Sequence, residues 1–340
     1  MSTNKDWLGL TVEETLQPDL PICDPHHHLW EFRYDREAPR YLIDELLADL
    51  NSGHNIISTV FIECGAMYRA IGPEAMRPLG ETEFANGIAA MSASGDYGET
   101  RIAAGIVGSV DLCLGADAGP VLDAHIAAAG GRFRGIRHQS TWDASDQVGN
   151  GRNVQKPHVY LDDDFRKGFA ELSRRNLSFE AWCYHPHISD VTDLARAFPE
   201  TSIILNHFGG PLGIGPYAGK HDEYFPAWQS DIADLATCPN VFAKLGGINM
   251  ALNGFGWHEQ GRPPSSEVLM QTTRRFYEHT IEQFGVKRCM FESNFPVDIV
   301  TCSYNVLWNS FKRLAANYSD DEKADLFHDT ATRVYRLETA

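Results

Sequence analysis

Short runs of apolar and β-branched residues alternate along the chain with longer segments whose apolar positions recur every three to four residues. The short runs predict eight strands, over 22–28, 56–63, 101–107, 133–138, 178–185, 202–207, 241–245 and 289–294. The longer-period segments predict helices over 41–50, 81–91, 117–129, 164–175, 190–198, 225–236, 265–284 and 303–315, and a last one over 320–337. Several of these open on Asp or Ser, whose side-chain oxygen can accept the first free N–H groups of a helix.

Eight successive strand–helix units close most economically into a (β/α)8 barrel. A doubly wound open sheet uses the same alternation, but neither GxGxxG after the first strand nor GxxxxGK[ST] occurs in the chain. No linker or low-complexity segment divides the 340 residues, which predicts a single domain over 1–340. The connections 139–163, 208–224 and 246–264, after strands four, six and seven, are long and rich in Gly, Pro and aromatics. A barrel gathers such loops at its C-terminal face, where barrel enzymes build their sites.

Composition narrows the function classes. Forty-six acidic residues against 29 basic ones give a net charge of −17, which disfavours nucleic acid and anionic membranes as partners. No stretch approaches the length of a membrane helix, and residues 1–20 lack the apolar core of a signal peptide. Seven cysteines without CxxC spacing read as reduced thiols in a cytoplasmic protein. A small acidic molecule is the expected ligand, with a homo-oligomer left open.

The chemistry concentrates at predicted strand ends. The first strand closes on Asp24-Pro25-His26-His27-His28, and alternation puts His26 and His28 on one face with His27 on the other. Strands five and six end on His185 and His207 at the same rim, so four histidines would converge from three strands. Neutral imidazoles in that arrangement suit Zn²⁺ with one position left for water, although each histidine read singly is as well a structural one.

With Asp-Pro-His-His-His-Leu-Trp at 24–30, Phe-Arg-Gly-Ile-Arg at 133–137, Tyr-His-Pro at 184–186, Asn-His-Phe-Gly-Gly-Pro at 206–211 and Phe-Glu-Ser-Asn-Phe-Pro-Val-Asp at 291–298, the chain resembles the amidohydrolase superfamily. Within it the likeness is to the branch of lactonases and decarboxylases that includes the pyrone-dicarboxylate lactonases. The resemblance implies a (β/α)8 barrel and a divalent metal, zinc or manganese, held by His26, His28 and His185. His207 would be a further ligand or would polarise the substrate. Some lactonases of this branch work without a metal.

The family's Ser-Asp-Trp-Pro at strand eight is Ser293-Asn294-Phe295-Pro296 here, and an amide cannot act as a carboxylate base. Glu292 and Asp298 are the nearest substitutes, and Glu63, at the end of strand two, is a third candidate or a substrate contact. Arg137 closes strand four, where a guanidinium could hold a substrate carboxylate, and Arg33, Arg36 and Arg69 could add to an electropositive pocket. Tyr184, with Trp30, Tyr68, Trp142, Tyr217, Phe255 and Trp257, could wall a ring-shaped ligand. The expected activity is a hydrolase that opens a lactone or related cyclic ester of a small carboxylated molecule in catabolism. A non-oxidative decarboxylase and a catalytically silent binding homologue are the alternatives.

Overall fold

Every predicted strand forms in the computed structural model, which describes residues 5–32, 39–152, 154 and 156–338. The strands are β1 Pro21–His27, β2 Asn55–Ile62, β3 Arg101–Gly108, β4 Phe133–Ser140, β5 Ser178–Cys183, β6 Ile203–Leu205, β7 Val241–Leu245 and β8 Cys289–Phe291. They pair in chain order, all parallel, in one eight-stranded sheet. The ring closes just beyond β8, where His28 N donates to Phe295 O at 2.8 Å and Asn294 N to His26 O at 2.9 Å. This is the (β/α)8 barrel that the alternation predicts.

Helices Ile43–Leu50, Leu79–Ala93, Ala118–Ala128, Asp163–Ser173, Ile188–Ala197, His221–Ala236, Ser266–Phe284 and Tyr304–Leu314 follow the strands in turn. Asp162, Ser265 and Ser303 cap three of them by accepting first-turn N–H groups. Among the described residues no helix is long and apolar enough to cross a membrane. All seven cysteines are free.

Strand alternation separates two cores. Phe179 packs edge-on against Phe165 and Phe169 of the helix Asp163–Ser173, so its neighbours Ser178 and Glu180 point to the barrel axis. Inside the barrel, Cys23, Val60, Ile62, Val107, Ile204 and Met290 pack with Ala331, Val334, Tyr335 and Leu337 of the C-terminal segment. That segment is helical over 320–334, with a π-helical stretch, Asp325–Asp329, between α-helical Asp320–Ala324 and Thr330–Val334. It plugs the N-terminal end of the barrel, where Arg333 Nη2 donates to Lys287 O at 2.5 Å and Arg336 Nη2 to Asn176 O at 3.0 Å, both just ahead of strands. The apolar floor leaves the C-terminal half of the interior for polar chemistry.

Candidate active site

A register irregularity between Asp24 and His27 divides the work of β1. Asp24 reaches outward, accepting from Tyr304 OH at 2.9 Å and Ser293 N at 3.0 Å, which ties β1 to the segment after β8. Burial pushes its carboxyl up to about 6 despite these donors. His27 also faces outward, with Nε2 2.9 Å from Thr59 Oγ1 and its ring against Phe61. His26 and His28 turn to the axis, their Nε2 atoms 3.2 Å apart.

Glu292 lies beneath them, fully buried, with one oxygen for each of two histidines. His207 Nδ1 is 2.6 Å from Oε1, and His26 Nδ1 is 2.6 Å from Oε2. Gly247, in the left-handed region at φ 66°, makes room for this: a Cβ there would fall 2.0 Å from His207 Nδ1. Trp182 from β5 stands edge-on to the His207 ring, centroids 4.7 Å apart.

A buried cation completes the layer below. Lys244 Nζ, from the middle of β7, lies 3.0 Å from Glu180 Oε2, 3.9 Å from Glu292 Oε2 and 3.3 Å from His26 Nδ1. Glu180 also accepts from Asn206 Nδ2 and from Tyr335 OH, in two short hydrogen bonds. Tyr335 thus links the C-terminal plug to the site. Burial, and then the charges of Lys244, His207, His28 and Arg137, hold the His26 imidazole well below its ordinary pKa, so it stays neutral.

Both His26 nitrogens face donor-only groups at 3.3 Å, Lys244 Nζ at Nδ1 and Arg137 Nη1 at Nε2, while His28 Nδ1–H donates to Ile62 O at 2.8 Å. Glu292 Oε2, 2.6 Å from His26 Nδ1, makes no hydrogen bond. Ligand atoms at ~2.0–2.1 Å from one ion stand roughly 3 Å apart, as the Nε2 atoms of His26 and His28 do. The donor set therefore fits a metal. His26, His207 and Glu292 also form one of the groups whose potential ligand atoms lie within 4.8 Å of one another.

The remaining expected residues separate into those the barrel brings to this site and those it does not. Arg137 reaches it: Nη1 is 3.3 Å from His26 Nε2, while Nε donates to Glu63 Oε1 at 2.8 Å and Nη2 to Glu63 O at 2.5 Å. Arg152, from the loop after β4, donates to the other Glu63 oxygen in a short ion pair. Burial alone would raise the Glu63 carboxyl, but the two guanidinium groups hold it down at about 2. Glu63 thereby takes up two of the five N–H donors that Arg137 offers. Asn294 is buried at φ 54°, with Nδ2 unpartnered. Asp298 is buried behind it, and burial plus the Glu292 charge push its carboxyl well above the ordinary range despite the nearby Asn294 side chain and the Gly247 and Asn249 backbone. A carboxyl held in its acid form is a poor base.

His185, expected as a third ligand, is placed elsewhere. The strand ends at Cys183, two residues short of the expected boundary, and the chain turns into a 3-10 segment, His185–His187. His185 lies past the strand's end, where alternation no longer fixes its direction. Its Nδ1 accepts from Leu212 N at 3.3 Å and its ring stacks on Tyr224 with centroids 4.1 Å apart. Burial lowers its pKa to about 4. Tyr184 joins Trp182, Leu212 and Met250 in a small apolar cluster and donates to Gly149 O at 3.3 Å. Arg69 pairs with Glu83 on the surface rather than lining the site, and Arg33 and Arg36 lie outside the described residues.

Lys244, Glu180, Arg152 and Tyr335 are the site-region residues that pattern reading missed. Two of them carry a signal: a lone charge inside an apolar strand, Glu180 in Ser-Phe-Glu-Ala-Trp-Cys and Lys244 in Val-Phe-Ala-Lys-Leu, must find a partner if the strand is buried.

Comparison with known proteins agrees with the fold. The chain is 33% identical over 337 residues to an uncharacterized protein of Sinorhizobium fredii, covering 94% of this chain and 99% of that one. It is 24% identical over 328 residues to the L-fucono-1,5-lactonase of Burkholderia multivorans, covering 92% and 95% of the two chains. A solved amidohydrolase from Burkholderia multivorans with bound zinc superposes with a TM-score of 0.71 at 23% identity, over 93% of this chain and 99% of that one. The amidohydrolase family model matches residues 23–337, and on that match and the relative at 33% identity this chain belongs to the amidohydrolase family.

Proposed function

We propose that the protein is a metal-assisted lactonase of small-molecule catabolism in the cytoplasm, acting on a lactone or related cyclic ester of a small carboxylated molecule. One observation carries the reading: His207 Nδ1 stands 2.6 Å from a Glu292 oxygen that has no other protein role. Glu292 fixes the hydrogen on Nδ1 and so leaves the Nε2 lone pair as a base. The pair supplies the proton acceptor that Asn294 cannot, with Glu292 stabilising the imidazolium once His207 takes a proton from the attacking water. A carboxylate with an imidazole is a sufficient base for ester opening near neutral pH.

A divalent ion held by His26 and His28, zinc or manganese, would supply Lewis-acid polarisation of the ester carbonyl. Arg137, clamped by Glu63, keeps Nη1 at the His26 edge of the site and can orient one substrate oxygen there. Lys244 holds the Glu180 and Glu292 charges in place below. The lactonase name of the Burkholderia multivorans relative supports the reaction class.

The test is a panel of sugar-acid lactones and carboxylated lactones, followed by proton release in weak buffer. Turnover of at least one member is expected, with kcat falling ~10²–10⁴-fold in both Glu292→Gln and His207→Asn, the usual worth of a positioned base. Carbon dioxide release from an aromatic acid with no lactone opened would replace this reading by the decarboxylase one.

A further inference from the structure

Away from the barrel axis, three side chains from the connections after β4 and β5 meet at the rim of the C-terminal face. His158 ends the long loop after β4, His187 ends the 3-10 turn after β5, and Asp190 lies in the first turn of the helix Ile188–Ala197. His158 Nδ1 is 2.9 Å from Asp190 Oδ2, and His187 Nδ1 is 3.5 Å from the same oxygen. The two rings stand 4.9 Å apart at 73°, and all three ligand atoms fall within 4.8 Å of one another.

The protonation of His187 is set from behind. Its Nε2 lies 3.2 Å from Trp142 O, a carbonyl that can only accept, so the hydrogen of the neutral ring is on Nε2. The Nδ1 lone pair then faces a carboxylate, and Nδ1 has no hydrogen-bond partner although His187 and Asp190 are about 95% buried. Two buried acceptors aimed at each other call for a cation between them. His158 is meanwhile held at φ 58°, a left-handed conformation that non-glycine residues adopt only when their surroundings enforce it.

We propose that His158, His187 and Asp190 form a second divalent-metal site, of the two-imidazole, one-carboxylate type that suits zinc and its transition-metal neighbours. Atoms at ~2.0–2.1 Å from a common ion stand roughly 2.9–3.4 Å apart, close to the 2.9 and 3.5 Å that separate the two imidazole nitrogens from Asp190 Oδ2. Beside the triad an open groove of about 580 Å³, lined by Trp142, Asp143 and Tyr217, leaves room for water or a small oxygen donor on the ion. The strongly acidic surface, net charge −17, favours cation entry.

The site ties the loop after β4 to the helix after β5. That loop also delivers Arg152 to Glu63, and its Gly149 O accepts from Tyr184 OH, so an ion at the rim fastens the segment that carries Arg152.

The test uses full-length protein carrying His26→Ala and His28→Ala, which removes both barrel imidazoles, stripped with chelator and titrated with Co²⁺ by absorption and Zn²⁺ by calorimetry. One equivalent with d–d absorption is expected, lost when His158→Ala is added and weakened at least tenfold by Asp190→Asn. His158→Gln keeps a donor for Asp190 but cannot serve as the imidazole ligand, so it too loses the ion while the circular dichroism spectrum stays that of the parent. Binding of no ion in the double variant overturns the site. So does binding that survives both His158 variants, and because the barrel pair is absent in every arm, neither result bears on the lactonase reading.

Discussion

The two halves of the barrel interior are made from the same eight strands and could hardly differ more. The N-terminal half is sealed by Ala331, Val334 and Leu337 against Val60, Val107, Ile204 and Met290, and its stability rests on apolar area and packing. The C-terminal half buries Lys244, Glu180, Glu292, Arg137 and Glu63 beside three histidines, and nearly every charge there is compensated by a named partner. The contrast teaches that the floor tolerates loss in proportion to volume, while the upper layer responds to a single missing charge. Tyr335 belongs to both, packed in the floor and bonded to Glu180 above it.

The largest effect is expected where compensation is removed outright. Lys244→Met strands Glu180 and Glu292 without their shared cation, and breaking such a buried network costs about 3–5 kcal/mol. Urea unfolding should show this loss together with loss of turnover; unchanged stability would mean that the two carboxyls share protons without Lys244. Met290→Ala probes the floor instead, with an expected cost of about 2–5 kcal/mol from lost contact and cavity, and with kcat retained below the melting transition. A large drop in kcat there would erase the functional separation of the halves.

Tyr335→Phe tests the seam between them. It removes one donor from Glu180 while keeping the ring, so a loss of about 1–3 kcal/mol is expected, smaller than for Lys244→Met. The effect confined to the acid limb concerns Glu63. Its folded pKa, about 2, lies below its ordinary value of 4.5, so its stabilising contribution is complete above pH 4.5 and disappears as pH falls from there through about 2. Glu63→Gln, less stable above pH 4.5, should lack that acid-limb loss in chemical unfolding measured across this window. Parallel curves for the two proteins would show that the Arg137 and Arg152 pairs do not set the acid limb.

Much of this organisation is visible in the chain itself. The eight strands fall within a few residues of their predicted bounds, because buried parallel strands need continuous apolar runs and helices need a longer period. The His26/His28 pairing on one face follows from alternation alone. His185 lies in the 3-10 turn after β5 rather than at a strand end, because the extended backbone stops at Cys183. Glu292 was legible as the neighbour of the departed acid at Asn294, but its role as a two-handed acceptor for His26 and His207 was not.

By itself, then, the sequence determined the number and order of strand–helix units, the rim location of the chemistry and the presence of histidines there, all of which depend on local periodicity. Only the tertiary structure decided which charges neutralise one another: that Glu63 engages Arg137 and Arg152, that Lys244 spans Glu180 and Glu292, and that a tyrosine more than 150 positions from Glu180 reaches it through the barrel floor. The physical reason is that a buried charge must be compensated by whatever group closure of the ring brings within a few ångströms, and that proximity is a property of the closed barrel, not of any segment of the chain.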